Sequence, residues 1–297
     1  MKPRIFGLLL FFLFCSAFSI AQTADSTIVK IETSDGNEFI GKIITEDTLS
    51  IVLNTDLYGE LTIQKANIKS KKIVQSQQIK GGKLWFDNPQ STRYFWAPNG
   101  YGVKKGEGYY QNIYVLWNQF TYGVSDNFSL GAGIIPLFLF AGAPTPIFAT
   151  LKISLPIQKD KFNLAAGAIA GTVIGEDVGS FGILYGISTF GTPDNNVSVG
   201  LGYGFAEGEL ASSPLINISG LLRISSRGYI LTENYYIQID GVGGGLISLG
   251  GRWIIKKASL DFALAVPIIP DMGTFIAIPL IGFTIPFGNN EYKNSNF

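Results

Sequence analysis

The sequence predicts an all-β protein: a transmembrane antiparallel β-barrel of about twelve strands behind a small N-terminal periplasmic β domain. Three observations carry that expectation. From Tyr109 to Phe287, apolar residues alternate with Gly, Ser, Thr and Asn; the two-residue period belongs to strands, not helices. Charge is sparse there, nineteen residues in 179, against fifteen in the 56 residues from Asp25 to Lys80. In front of both lies a secretory signal, which delivers the chain to where β-barrels span an outer membrane.

Residues 1–21 carry that signal. Lys2 and Arg4 form a positive start, Ile5 to Phe14 is almost purely apolar, and Ser19-Ile20-Ala21 places small residues before a cleavage at Gln22. Cys15 follows the bulky Phe14, which argues against a lipidated cysteine, and cleavage leaves a mature chain without cysteine. Residues 22–73 read as a small soluble β domain with strand-like runs at Ile28–Glu32, Glu38–Ile44, Leu49–Asn54, Glu60–Gln64 and Ile68–Ile73. Asp35-Gly36 is a strong hairpin signal and Tyr58-Gly59 a second turn. The order of these runs is similar to that of SH3-like and Sm-like barrels. Residues 74–90, rich in Gln, Lys and Gly, read as a linker.

The barrel is expected over residues 91–287, with a tail at 288–297. Its strands are read as Thr92–Trp96, Tyr109–Tyr122, Phe128–Phe140, Ile147–Ile157, Phe162–Val173, Phe181–Phe190, Val197–Phe205, Leu215–Ser225, Tyr229–Asp240, Leu246–Lys256, Ser259–Ile268 and Thr274–Phe287. An even number places both ends on the periplasmic side. Tight polar turns at Ser125–Asn127, Lys159–Lys161, Pro193–Asn196, Ser226–Gly228 and Lys257 suit that side, and longer connections suit the other. Leu130–Leu151 is uncharged and long enough for a membrane helix, but it holds Pro136, Pro144 and Pro146, each costing about 3 kcal/mol inside a helix.

Lipid does not solvate charge, so charged residues on alternating strands must face inward. Lys152, Arg223, Glu233, Arg252 and Asp261 are the candidate lumen charges. Glu233 is the least clear of them, since Thr232, Asn234 and Gln238 compete for the same interior. Two readings stand open: bracing pairs, Arg252 with Asp261 and Arg223 with Glu233, or a charged constriction that selects a solute. Tyr109, Tyr110, Tyr114, Trp117, Tyr229, Tyr235, Tyr236 and Trp253 suit aromatic girdles at the membrane surfaces.

Composition excludes much chemistry. There is no histidine, and basic and acidic residues balance at 22 each. Ser-His-Asp hydrolysis cannot be built, and no net field points to nucleic acid. Gly200-Leu-Gly202-Tyr-Gly204 lies inside a strand and lacks the helix a nucleotide site needs, and Gly241 to Gly245 reads as a flexible loop. Glu176, Asp177, Glu207 and Glu209 are solvated loop carboxylates. No enzyme activity, cofactor or metal is expected.

The run Asn88 to Asn112 (NPQSTRYFWAPNGYGVKKGEGYYQN), with Tyr122 to Gly133 and Leu231 to Tyr236, resembles a family of outer-membrane barrel proteins of diderm bacteria. The resemblance implies fold and location, not an activity. The last strand, Ile281 to Phe287, ends in the aromatic residue of a barrel-assembly signal. Expected partners are therefore outer-membrane lipid, the barrel-assembly machinery and a periplasmic protein for the N-terminal domain. The expected roles are a small pore or passive transporter, or a closed barrel that anchors that domain.

Overall fold

The computed structural model describes residues 28–74, 79–80, 83–114, 116–176, 179–239, 241–255, 258–270 and 273–288. The signal segment, its cleavage site, the Lys257 turn, Asp177 and the tail beyond residue 288 lie outside the described residues. The chain divides into two compact units, residues 1–82 and 83–297.

The first unit holds five antiparallel strands, β1 (Ile28–Thr33), β2 (Glu38–Glu46), β3 (Ser50–Thr55), β4 (Gly59–Gln64) and β5 (Ile68–Val74), in the order β4-β3-β2-β1-β5. Alternation buries Val29, Ile31, Ile51, Leu53 and Ile63 in one cluster, with Phe39, Ile43, Leu61 and Ile68 packed around it. At the β1–β2 turn Gly36 adopts φ +86°, a left-handed conformation that costs glycine nothing. A register shift between Ile43 and Thr45 bends β2.

Exposed carboxylates secure the edges of this sheet. Asp47 accepts the backbone N–H groups of Leu49 and Ser50, each at 2.7 Å, and Glu46 pairs with Lys71 and Lys65. Hydrogen bonds to the ionised forms hold both carboxyls below their usual range. Their contribution is present above the unfolded pKa and lost as pH falls through the lower folded value. The urea midpoint of this unit, read from a fluorophore on Leu57→Cys in the protein from Gln22 onward, which has no other cysteine, should stay level from pH 8 to 5. It should then fall below about pH 4, and Asp47→Asn should flatten that fall.

The second unit is a closed ring of twelve antiparallel strands. They are β6 (Glu107–Ile113), β7 (Trp117–Gly123), β8 (Phe128–Ile134), β9 (Thr145–Gln158), β10 (Phe162–Ile174), β11 (Phe181–Thr192), β12 (Asn195–Ala206), β13 (Leu215–Arg223), β14 (Gly228–Ile239), β15 (Val242–Ile255), β16 (Ala258–Ile268) and β17 (Ile278–Gly288). Each pairs with the next, and β17 closes on β6 through Tyr109–Pro286 and Gln111–Thr284. An even count brings the chain in and out at the same end of the ring, called here the terminal end.

The strand count agrees with the sequence reading, but its first members differ. Thr92–Trp96 is not a strand. The run Tyr109–Tyr122 is instead two strands, β6 and β7, separated by a tight turn in which Tyr114 takes φ +56°. Phe128–Phe140 ends as a strand at Ile134, because Pro136 offers no N–H to a ladder and opens a short helix, α1 (Pro136–Phe140). Strand β17 starts at Ile278 rather than Thr274. The Gly241–Gly245 run is no loop: Gly241 turns the chain at φ +81° and the glycines from Gly243 onward belong to β15.

Alternation decides the two faces. On β16, Leu260, Phe262 and Leu264 point outward while Ser259, Asp261, Ala263 and Ala265 are buried; β12 repeats the pattern with Val197, Val199, Leu201 and Tyr203 outside and Ser198, Gly200 and Gly202 inside. Leu151, Ile153, Leu155, Ile218, Leu222, Ile247 and Leu249 extend this exposed apolar surface around the ring. So much apolar surface on a closed sheet is matched to lipid, not to water. The polar residues of β14 resolve by the same parity: Thr232, Asn234 and Gln238 point outward and Glu233 inward. Thr232 and Asn234 bond each other and the carbonyls of Ser248 and Ile218. Four of the eight aromatics read as girdle residues, Tyr109, Trp117, Tyr229 and Tyr235, instead face the interior, since each sits on an inward register position.

Candidate functional site in the barrel lumen

The interior is occupied by the chain's own residues. The segment from Phe86 to Lys105, immediately before β6, enters at the terminal end and runs inside the ring. Asn88, Gln90, Thr92, Arg93, Tyr94, Phe95 and Asn99 are buried, although residues up to 90 read as linker. The segment folds back on itself: Tyr94 N–H donates to Ala97 O, Asn99 N–H donates to Thr92 O, and Arg93 bridges Pro98. Its tip, Phe95 to Ala97, points toward the far end.

The candidate charges meet this segment. Arg252 and Asp261 are directly opposed across β15 and β16, and Nε and Nη2 of Arg252 donate to the two carboxylate oxygens at 2.7 and 2.8 Å. The same guanidinium donates to Gln90 O at 2.8 Å and Tyr94 O at 2.7 Å. Glu233 accepts the N–H groups of Trp96 and Ala97 at 2.9 and 3.0 Å and the Tyr235 hydroxyl at 2.7 Å. Lys152 donates to Thr92 O at 3.2 Å and Tyr101 O at 2.5 Å. Main-chain groups of the buried segment thus obtain charge-assisted partners.

Arg223 is placed elsewhere. It does not pair with Glu233, because the register sets Glu233 opposite Ser219 and Arg223 opposite Tyr229, four residues along the strand. Its partner is Asp194, in the β11–β12 turn, at 2.8 Å, and it also donates to Phe86 O and Ser226 O and lies over the Trp85 ring. Arg223 therefore fastens the entry of the segment at the terminal end.

Further anchors come from residues that sequence reasoning passed over. Arg93 donates to Gln111 Oε1 at 2.7 Å, and Gln111 donates to Phe95 O at 2.8 Å. The Tyr94 hydroxyl donates to Asn196 Oδ1 at 2.6 Å, and Gly100 N–H to Thr189 Oγ1 at 2.7 Å. A signal for them was present. Asn88–Gly102 has no strand period, yet four aromatics (Tyr94, Phe95, Trp96 and Tyr101) are too apolar for an open loop. At Gly100 the segment presses on the wall, where a Cβ would stand 2.8 Å from Asn163 O. Gly100→Val should therefore lift the segment, at about 1–3 kcal/mol, and open residues 86–105 to protease while the barrel's heat-dependent gel shift persists.

Above the tip, toward the far end, the interior is different. A cavity of about 370 Å³ lies over Trp96, Ala97 and Pro98, walled by inward side chains of β10 to β15. Among the described residues, no group of three His, Cys, Asp or Glu could hold a metal ion.

These features define a class: a transmembrane β-barrel of the outer-membrane type, closed around a segment of its own chain. No protein-family model matches the chain, and no curated protein matches its sequence. Among solved structures it is similar to the KdgM porin, at 8% identity and TM-score 0.44 over 61% of this chain and 98% of that one. It is also similar to a loop-L8 deletion mutant of OmpT, an outer membrane protein of Vibrio cholerae (12% identity, TM-score 0.35, 88% of this chain and 96% of that one). A third is the CymD monoaromatic hydrocarbon channel (9%, TM-score 0.35, 89% and 88%).

Proposed function

We propose that this chain is a non-enzymatic passive transporter of the outer membrane, in which residues 86–105 form a plug that shifts to let a solute pass. The cleaved signal exports it, and the terminal end with the N-terminal unit faces the periplasm, where that unit serves as an accessory domain. One observation supports the reading above others. The charges of Glu233, Lys152 and Arg252 are spent on main-chain groups of the segment, while the twelve-strand ring closes without it. Such a segment can leave its place with no strand pairing of the ring lost.

The same anchors favour a second reading, a permanently closed barrel that holds the N-terminal unit at the membrane for a partner. Replacing residues 88–102 with a Gly/Ser stretch of equal length separates the two. Refolded into a planar bilayer, this variant should give large, steady conductance steps where the parent chain opens rarely. A variant that keeps its heat-dependent gel shift and stays silent would overturn the transporter reading in favour of the anchor.

A further inference from the structure

We infer that the cavity above the plug is a binding site for a small apolar molecule of one or two fused or linked aromatic rings. The inference deepens the transporter reading and rests on it for its meaning as a substrate site. The walls come from facing register positions. Ile169 opposes Ile183, Ile187 opposes Gly200, Gly202 opposes Leu215, and Leu246 opposes Tyr235, all inward on consecutive strands. Gly200 and Gly202 contribute no side chain, and their absence of bulk makes the room.

The cavity walls differ in kind from the rest of the interior. Below the tip, the lumen is lined by Gln, Asn, Thr, Ser and charged groups; above it, by aliphatic side chains with the Trp96 indole as floor. Of the polar side chains at its edge, those of Asn217 and Tyr235 are already engaged, and Tyr185 adds one more hydroxyl to the lining. Asn217 donates to Asn234 O and accepts from Ser219, and the Tyr235 hydroxyl is given to Glu233. A wall with so few polar groups to offer holds water poorly and rewards apolar surface at about 25 cal/mol per Å². Size sets the class: a dry cavity of about 150 Å³ admits benzene, and this one of about 370 Å³ has room for two rings. The route is set as well. The ring has no unpaired strand edge, so the ligand enters from the far end, where α1 exposes Leu137, Leu139 and Phe140. It comes to rest against Trp96, whose N–H and that of Ala97 are the ones Glu233 holds.

The test uses the refolded full-length protein in detergent and the fluorescent probe 1-N-phenylnaphthylamine, which accepts energy from Trp96. Expected are saturable one-to-one quenching of tryptophan emission and its displacement by naphthalene. Gly200→Phe fills the cavity; a Cβ there stands 3.3 Å from Ile187 Cγ1 and farther from Gly186 O and Asn217 Cβ. It should weaken the probe about tenfold or more while the heat-dependent gel shift is kept. Non-saturable quenching equal to that of empty micelles, or unchanged affinity in folded Gly200→Phe, would overturn the site. Binding is read without transport, so if the parent binds the probe while the variant with residues 88–102 replaced stays silent, the transporter reading is refuted and the site stands. A protein that conducts without binding refutes the site alone.

Discussion

Arg252→Ala is expected to destabilise the barrel unit by about 3–5 kcal/mol, the cost of stranding a buried partner charge. The guanidinium is fully buried and its partner Asp261 nearly so. Removing it strands the Asp261 carboxylate and, in the same step, the carbonyls of Gln90 and Tyr94. Two readouts should move together: the urea midpoint at which the heat-dependent gel shift is lost, and protease cleavage within residues 86–105. The double variant Arg252→Ala, Asp261→Ala removes both charges and should recover part of the loss. A single variant as stable and as protease-resistant as the parent would mean that the pair holds neither wall nor plug.

Locking the plug should abolish transport. Residues 22–297 contain no cysteine, so in a protein that starts at Gln22 an introduced pair is unique. An ideal Cβ at Gly102 lies 3.2 Å from Ser154 Cβ, a few tenths of an ångström short of the Cβ separation of about 3.5–4.5 Å in a disulfide. Oxidised Gly102→Cys, Ser154→Cys should give no conductance and no solute uptake into liposomes, and dithiothreitol should restore both to the parent level. Equal conductance of the oxidised and reduced forms would show that the segment need not move.

Much of the barrel was legible in the sequence because a two-residue period has only two outcomes at each position. Lys152, Glu233, Arg252 and Asp261 could be placed inside on the cost of charge in lipid alone, and the Arg252–Asp261 pair follows from adjacency of their strands. What failed, failed for physical reasons. The β6–β7 turn uses Tyr114 in a left-handed conformation, without the Gly or Asn that usually announces one, so two strands read as one. Tyr109 and Tyr229 were misplaced because an aromatic side chain suits a membrane surface and a packed interior equally well. The bracing reading paired Arg223 with Glu233 because charge alone cannot report register. The lumen segment was read as linker up to residue 90 and as a wall strand at Thr92–Trp96, because it has no sustained period to place it. Its hydrogen bonds go to side chains scattered from Gln111 to Arg252, and only the closed ring brings those together.

The seam between β17 and β6 bears on how such a molecule is made. It joins the two strands farthest apart in the sequence of the ring, so it carries the largest loop-closure entropy of any pairing there. The plug lies directly upstream of β6, yet it bonds Glu233 on β14 and Arg252 on β15. Each of those bonds ties a late strand to the start of the first and so shortens the loop that the seam has to close. The segment that fills the finished barrel thus has the geometry of a mandrel, holding the late strands beside the first without using the seam itself.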